Sequence, residues 1–262
     1  MALAYTMARA KIKDLKGVKV GIAGIEVASG QEWIEALKQT VSAKGGIPVT
    51  VTLPSAVVSA DVQMQTFQNE KVSMILMHHG VAGGIAMLRS IAKFGIDVPI
   101  SGSYGVGQNL AFTTAPYEAA KNFVPVNCYT VSTYSKLSDK GKLAFTTGQK
   151  YGVPAEQLEQ ANYSLGWVNG MIIVEALKSI KGDVTPASVK AGLESIKNLD
   201  TGGLSPNITM TGKCHMAVQG VRPVFYNWSK KALLPVGTFA QWQKSITNSQ
   251  AAPGTCGKKS GK

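Results

Sequence analysis

Cysteine, acidic residues and long apolar runs are all scarce in this chain. Of 262 residues only three are cysteines, Cys128, Cys214 and Cys256, and none falls in a CxxC pair. That spacing excludes the usual dithiol and zinc motifs. Free thiols are the default expectation, with a Cys214–Cys256 bridge as the alternative in an oxidising compartment. No uninterrupted apolar run approaches the roughly 18 residues of a membrane span, so membrane insertion is not expected. Residues 1–17 (MALAYTMARAKIKDLKG) hold no continuous apolar core and place their basic residues late, unlike a secretory signal. They read as an amphipathic helix with Leu3, Met7, Ala10 and Leu15 on one face.

Acidic residues number 15 against 27 Lys+Arg, which leaves a net charge of +12. Such a balance raises the question of nucleic acid. The basic residues are scattered, however, and gather only at Lys258, Lys259 and Lys262. Aromatics are 7% of the chain and do not interleave with basic runs as a base-stacking surface requires. A solvated basic surface is therefore expected, and no nucleic-acid partner. Hydrophobic residues at 45% exclude a disordered chain, and the length suits one large domain or two modest ones.

Catalytic signatures are missing too. GIEVASG at 24–30 is not G-x-G-x-x-G, and no P-loop lysine follows a glycine loop. There is no G-x-S-x-G elbow. Glu26, Glu32 and Glu35 lie near one another, but capping and solvation account for the last two. No enzyme activity, cofactor or metal is expected.

The chain is rich, by contrast, in alternation. Residues 18–25 (VKVGIAGI) form a short apolar, β-branched run suited to a buried strand. Ser29 and Glu32 then match a capping box, and Trp33, Ile34, Leu37 and Val41 recur at helical spacing. Gly45 and Gly46 stop that helix. Further strands are expected at 47–53, 72–78, 98–102 and 123–131, with helices between them at 60–69 and around Ile85, Leu88 and Ile91. This is the pattern of βαβ units around a doubly wound parallel sheet, an α/β fold whose ligands bind at the carboxyl ends of the strands. Beyond residue 131 helices dominate. One is expected at 162–179, with Leu165, Val168, Ile172 and Leu177 inward. Another starts at Thr185-Pro186, a cap followed by proline at the first helical position, with Val189, Leu193 and Ile196 as its stripe. Two strands at 221–228 and 233–239 resemble a hairpin, and 250–262 reads as a flexible tail.

Four segments in this order resemble the type I periplasmic solute-binding proteins of ABC transporters, in the branched-chain amino-acid binding family. They are GVKVGIAGIEVASGQEWIEALKQTVSAKGG, VSMILMHHGVAGGIAMLRSIAKFGIDVPISGSYGVG, YSLGWVNGMIIVEALKS and LSPNITMTGKCHMAVQGVRPVFYNW, and the likeness covers most of 17–242. The resemblance implies two α/β lobes that close on a small-molecule ligand, a permease of an ABC transporter as partner, and a periplasmic location. It assigns 1–127 and 218–242 to one nearly complete lobe, 128–217 to part of the other and 243–262 to a tail. The opening strands and helices of the family have no counterpart here. A ligand-sensing domain of a receptor or regulator uses the same architecture, and a small-molecule α/β enzyme is the remaining alternative.

The ligand-binding candidates stand at strand ends. Ser29 and Gly30 lie where the first strand hands over to a helix, whose first amides suit an anionic or carbonyl group; plain N-capping by Ser29 accounts for the pair equally well. His78 and His79 end the third strand. Adjacent strand residues face opposite sides, so the two do not chelate one metal, and one buried, satisfied histidine beside an exposed one is the alternative. Tyr104 and Gly105 follow the fourth strand. The resemblance implies an acidic residue at Tyr104 to pair with a ligand ammonium; a tyrosine there argues against a free α-amino acid and admits an amide or aromatic acid. Tyr163 opens the long helix and is a candidate wall, while Trp167 is expected to pack. His215 is given no role.

Overall fold

The computed structural model describes residues 2–132, 134, 136–218 and 220–239. They divide into two compact units, Met1–Asn127 with Pro223–Leu234, and Cys128–Arg222 with Pro235–Lys262.

The first unit is built on the expected alternation. A helix α1 (Ala2–Arg9) precedes β1 (Lys19–Ile25), α2 (Ala28–Ala43), β2 (Ile47–Leu53), α3 (Asp61–Glu70), β3 (Met74–His78), α4 (Val81–Lys93) and β4 (Ile100–Gly102). The strands form a parallel sheet in the order β2-β1-β3-β4. Val20, Ile22, Ala23 and Met74–Met77 are buried, as two-sided coverage of a parallel strand demands. α1 is shorter than the amphipathic pattern suggests. It ends at Arg9, and Lys11 takes a left-handed turn (φ 57°). Leu15 still reaches the core, but from the segment that leads into β1. Arg9 caps the sheet edge, donating to the carbonyls of Asn122 at 2.7 Å and Ile100 at 3.3 Å.

The fifth strand, expected over 123–131 in the same sheet, is not there. Phe123 makes one parallel bridge to Ile100, and Pro125, with no N–H to donate, interrupts the ladder. Two short helices, α5 (Asn109–Thr114) and α6 (Tyr117–Ala120), fill the preceding connection. Immediately after Pro125 the chain forms β5 (Val126–Asn127), which joins a second sheet in the order β5-β6-β7. Its partners β6 (Arg222–Asn227) and β7 (Ala232–Pro235) are the late strands of the sequence pattern, joined by a turn at Trp228–Lys231. Phe112 sits between the rings of Phe123 and Tyr226, at 5.2 and 5.1 Å, and ties this sheet to the core of the unit.

The second unit is helical: α7 (Asp139–Lys150), α8 (Ala155–Leu158), α9 (Ala161–Lys178) and α10 (Pro186–Glu194). The predicted start at Thr185-Pro186 is realised. The Thr185 hydroxyl accepts from the Ser188 amide, and the Ser188 hydroxyl accepts from the Thr185 amide. α9 is apolar on nearly every side. Val168 and Ile172 are buried, but Leu177, expected inward, is 42% exposed, alongside Ile173 at 48% and Val174 at 50%. Arg222 is buried here without an acidic partner among the described residues. Its guanidinium lies 3.9 Å from the Phe239 ring centroid and 4.7 Å from that of Tyr134, and donates to the Thr130 hydroxyl at 2.7 Å. Cys214 is disulfide-bonded, which corrects the free-thiol expectation for that residue. Cys256 and the expected tail lie outside the described residues.

Candidate functional site

In a 2-1-3-4 sheet the chain leaves β1 toward one edge and then returns to β3 on its other side. The helices after these two strands therefore diverge, and a crevice opens beyond their carboxyl ends. The residues at that position are 26–33 after β1, 78–80 after β3 and 103–107 after β4.

Two glycines bring α2 unusually close to β1. A Cβ on Gly30 would overlap the Ile25 carbonyl oxygen, and one on Gly24 would meet the Gly30 carbonyl at 2.8 Å. Gly30 is thus first a packing residue, and its amide is committed to the Val27 carbonyl at 2.9 Å. The capping box read from Ser29 and Glu32 does not form. The helix begins one residue before Ser29, with Val27 as its N-cap and no side-chain cap bond. The close approach explains this: Gly30 must lie inside the first turn to meet Ile25, which places Ser29 inside it as well. The Ser29 hydroxyl is consequently released from capping and turns toward β3.

There it meets His78. The His78 Nε2 lies 3.4 Å from the Ser29 hydroxyl, and Nδ1 lies 2.8 Å from the hydroxyl of Ser103, just past β4. The imidazole also stacks on Trp33, one turn into α2, with centroids 5.5 Å apart and planes 25° off parallel. One side chain thereby joins three strand ends. Burial, with a smaller contribution from neighbouring His79, holds the His78 pKa below its ordinary value, so the ring is neutral at neutral pH. Trp33 keeps a buried indole N–H that has no acceptor among the described residues. Sequence reading assigns Trp33 to the helix stripe and gives Ser103 no role. The signal available for both is their placement after β1 and β4, in register with His78.

His79 behaves differently. It is 4% exposed, and Nε2 bonds the Pro54 carbonyl at 3.1 Å while Nδ1 accepts from the Gly80 amide at 2.9 Å. A carbonyl can only accept and an amide can only donate, so the ring is neutral with its proton on Nε2. Gly83 makes room for it, since a Cβ there would overlap the imidazole. His79 is the satisfied core histidine of the pair.

The loop after β4 packs tightly on the same mouth. A Cβ on Gly105 would meet the His79 carbonyl at 2.5 Å, which makes Gly105 a close-approach residue. Tyr104 is 38% exposed, and its carbonyl accepts from Gln108 at 2.6 Å. Tyr163 lies in the second unit. Its hydroxyl donates to the Ala144 carbonyl at 2.8 Å and its ring packs on Phe145.

Among the described residues no cluster of three His, Cys, Asp or Glu side chains could hold a metal ion. Burial pushes the Cys128 thiol up to about 12, which keeps it from acting as a nucleophile. The mouth offers instead a set of hydrogen-bonding groups beside an aromatic face.

Comparison with known proteins agrees with the fold. The periplasmic binding protein family matches residues 1–231. No curated protein sequence matches the chain. Among solved structures, a branched-chain amino-acid ABC transporter protein from Thermus thermophilus with bound valine is similar over 90% of this chain and 63% of its own, at 19% identity and TM-score 0.75. A fatty acid ABC transporter substrate-binding protein from Thermomonospora curvata is similar over 97% of this chain and 64% of its own, at 20% identity and TM-score 0.79. A solute-binding protein from R. palustris in complex with benzoate is similar over 90% of this chain and 61% of its own, at 17% identity and TM-score 0.68. The chain thus spans less than two thirds of the length of these structures. No described helix is long and apolar enough to cross a membrane. With a family match over most of its length and this sheet topology, the chain belongs to the periplasmic binding protein family, with the type I fold.

Proposed function

We propose that the chain captures a small organic solute at the mouth formed by Ser29, His78 and Ser103, and hands it to an ABC transporter permease from a periplasmic location. The observation that carries this reading is the convergence on His78. Hydroxyls from two other strand ends and the Trp33 ring meet one neutral imidazole at the switch point of a parallel sheet. The family match supports binding over turnover, and a disulfide at Cys214 suits an oxidising compartment. Tyr104 and Gly105 frame the mouth from the β4 side, and Gly30 sets how near α2 approaches.

Calorimetric titration of the 262-residue chain with amino acids, short fatty acids and aromatic acids tests the reading. A solute that binds and is recovered unchanged is the expected result. Conversion of a bound solute to product would replace capture with catalysis.

A further inference from the structure

The two ends of the first unit's sheet differ in charge. In a parallel sheet every strand starts at the same end, so the segments that lead into the strands gather there, opposite the mouth. Backbone bonds place them side by side. Gly17 donates to the Gly45 carbonyl at 2.9 Å, Ser73 to that of Lys19 at 2.9 Å and Ile75 to that of Pro99 at 3.1 Å, while Phe123 bridges Ile100. Lys11, Lys13 and Lys16 precede β1, Lys44 precedes β2 and Lys71 precedes β3. All are exposed, and none makes an ion pair among the described residues. The carboxylates at this end are engaged. Glu70 pairs with Lys19 at 2.7 Å and Glu118 with Lys121 at 2.6 Å, Asp97 accepts from the Asn122 side chain at 2.6 Å, and Asp14 accepts from the Lys16 amide at 2.8 Å. At the mouth end, segments 26–33, 54–60, 78–82 and 103–109 hold no lysine or arginine and carry Glu26 and Glu32.

An exposed aromatic pair stands at the same basic end. Tyr117 opens α6, which runs into Lys121 and then Phe123, beside the start of β4. Tyr117 is 54% exposed and meets Trp228, 38% exposed, edge to face, with centroids 4.9 Å apart and planes at 74°. The Lys121 Nζ lies 6.0 Å from the Tyr117 ring centroid. Lys230 and Lys231 follow Trp228 in the turn between β6 and β7, both exposed. Complementing helix dipoles accounts for Lys44 and Lys71, which cap the carboxyl ends of α2 and α3. It does not account for Lys13, Lys16, Lys230 or Lys231, which stand at no helix end.

We propose that the amino end of this sheet is a docking surface for an anionic phospholipid bilayer. Lysines spread over several strand starts match a layer of phosphate groups, and each adds an attraction that salt screens. Tryptophan and tyrosine suit the headgroup layer, because each joins an apolar ring to a polar tip. The two rings pack on one another rather than spacing out along the lysines, which disfavours stacking of nucleic-acid bases. Contact at this end leaves the mouth, at the opposite ends of the strands, clear of the bilayer.

Co-sedimentation of the whole chain with lipid vesicles tests the proposal. It needs no solute, so its failure leaves the capture reading standing. Binding to vesicles that contain phosphatidylglycerol, none to pure phosphatidylcholine, and loss of binding at about 0.5 M salt are expected. Lys13→Glu combined with Lys16→Glu is expected to weaken binding at least about tenfold. Lys178→Glu combined with Lys181→Glu makes the same charge change at exposed positions of the second unit, and is expected to weaken it less than about threefold. Trp228→Ala is expected to weaken binding roughly threefold or more. No binding to the anionic vesicles, or equal losses in the two charge-reversed pairs, would overturn the proposal. Soluble poly-glutamate that binds as tightly as the vesicles and is indifferent to Trp228→Ala would assign the surface to an acidic protein, and the bilayer would fall.

Discussion

Glycines on α2 and α4 of the first unit and on α9 of the second stand in opposite surroundings. In the first, α2 and α4 pack at distances set by glycine: Gly24 and Gly30 under α2, Gly83 and Gly84 in α4. Little space is left, and several of these glycines cannot accept even a methyl group. In the second unit the long helix α9 carries Gly166 and Gly170 with open space where a Cβ would stand, and it exposes Ile173, Val174 and Leu177. Tight packing in the first unit is what fixes Ser29, His78 and Ser103 in register. The exposed face of α9 has no such constraint, although elsewhere in the second unit Gly192 stands as close to the Ala176 carbonyl and Gly148 to the Tyr163 hydroxyl. Glycine therefore has two meanings here, one steric and one permissive, and each can be tested.

The largest effect is expected at Gly30. Gly30→Val drives a side chain into the Ile25 carbonyl, and the first unit should lose about 3 kcal/mol or more. Chemical denaturation followed by near-ultraviolet circular dichroism would measure it. Retention of stability would mean that α2 can ride outward, and the register argument for the site would fail.

Next comes pH. Because the folded state holds His78 below its ordinary pKa, the folded protein binds fewer protons there than the unfolded chain. The stability contributed is present above the unfolded value and is lost as pH falls through the folded value. The melting temperature should therefore drop on acidification below neutral, and His78→Gln should flatten part of that slope. His79→Gln should destabilise the fold through the loss of its bonds to Pro54 and Gly80. Indistinguishable profiles for the two variants would erase the division of roles between these neighbours.

In the second unit the sign reverses. Gly166→Ala lies in the interior of α9 with nothing near its Cβ, so it should stabilise by about 0.5–1 kcal/mol through helix propensity. A loss would show that this face is packed in solution.

The smallest effect on stability is expected at Ile173. Ile173→Lys should change folding free energy by no more than about 0.5 kcal/mol, yet lower the binding of an environment-sensitive dye, because it breaks up the exposed apolar face. Unchanged dye binding would place the apolar surface elsewhere.

Much of the first unit can be read from the chain because its signals are local. β-branched runs, glycine stops and helical stripes locate β1 to β4 and α2 to α4 within a few residues. The site is legible in part. Ser29 and His78, which the structure brings together, are proposed from their positions at strand ends, where the topology of a parallel sheet favours a ligand. The role of Trp33 is not legible, because a tryptophan at helical spacing reads as core until a ring is found stacked on it. Ser103 is hidden for a related reason: its partner is 25 residues away, and only the parallel register of β3 and β4 brings them together. The capping box fails because a local motif loses to a long-range constraint, the contact of Gly30 with β1. The fifth strand fails at Pro125, a residue whose effect on a ladder is visible in the sequence and is outweighed there by the apolar run around it. In the second unit, Leu177 is expected inward because helical periodicity cannot say which side of an all-apolar helix is covered.

Hydrogen–deuterium exchange of the whole chain, with and without a saturating solute identified by titration, addresses the central claim most directly. Slowed exchange concentrated in residues 26–33, 78–80 and 103–107 is the expected result. Slowed exchange confined to other segments, with these three unchanged, would contradict capture at this mouth.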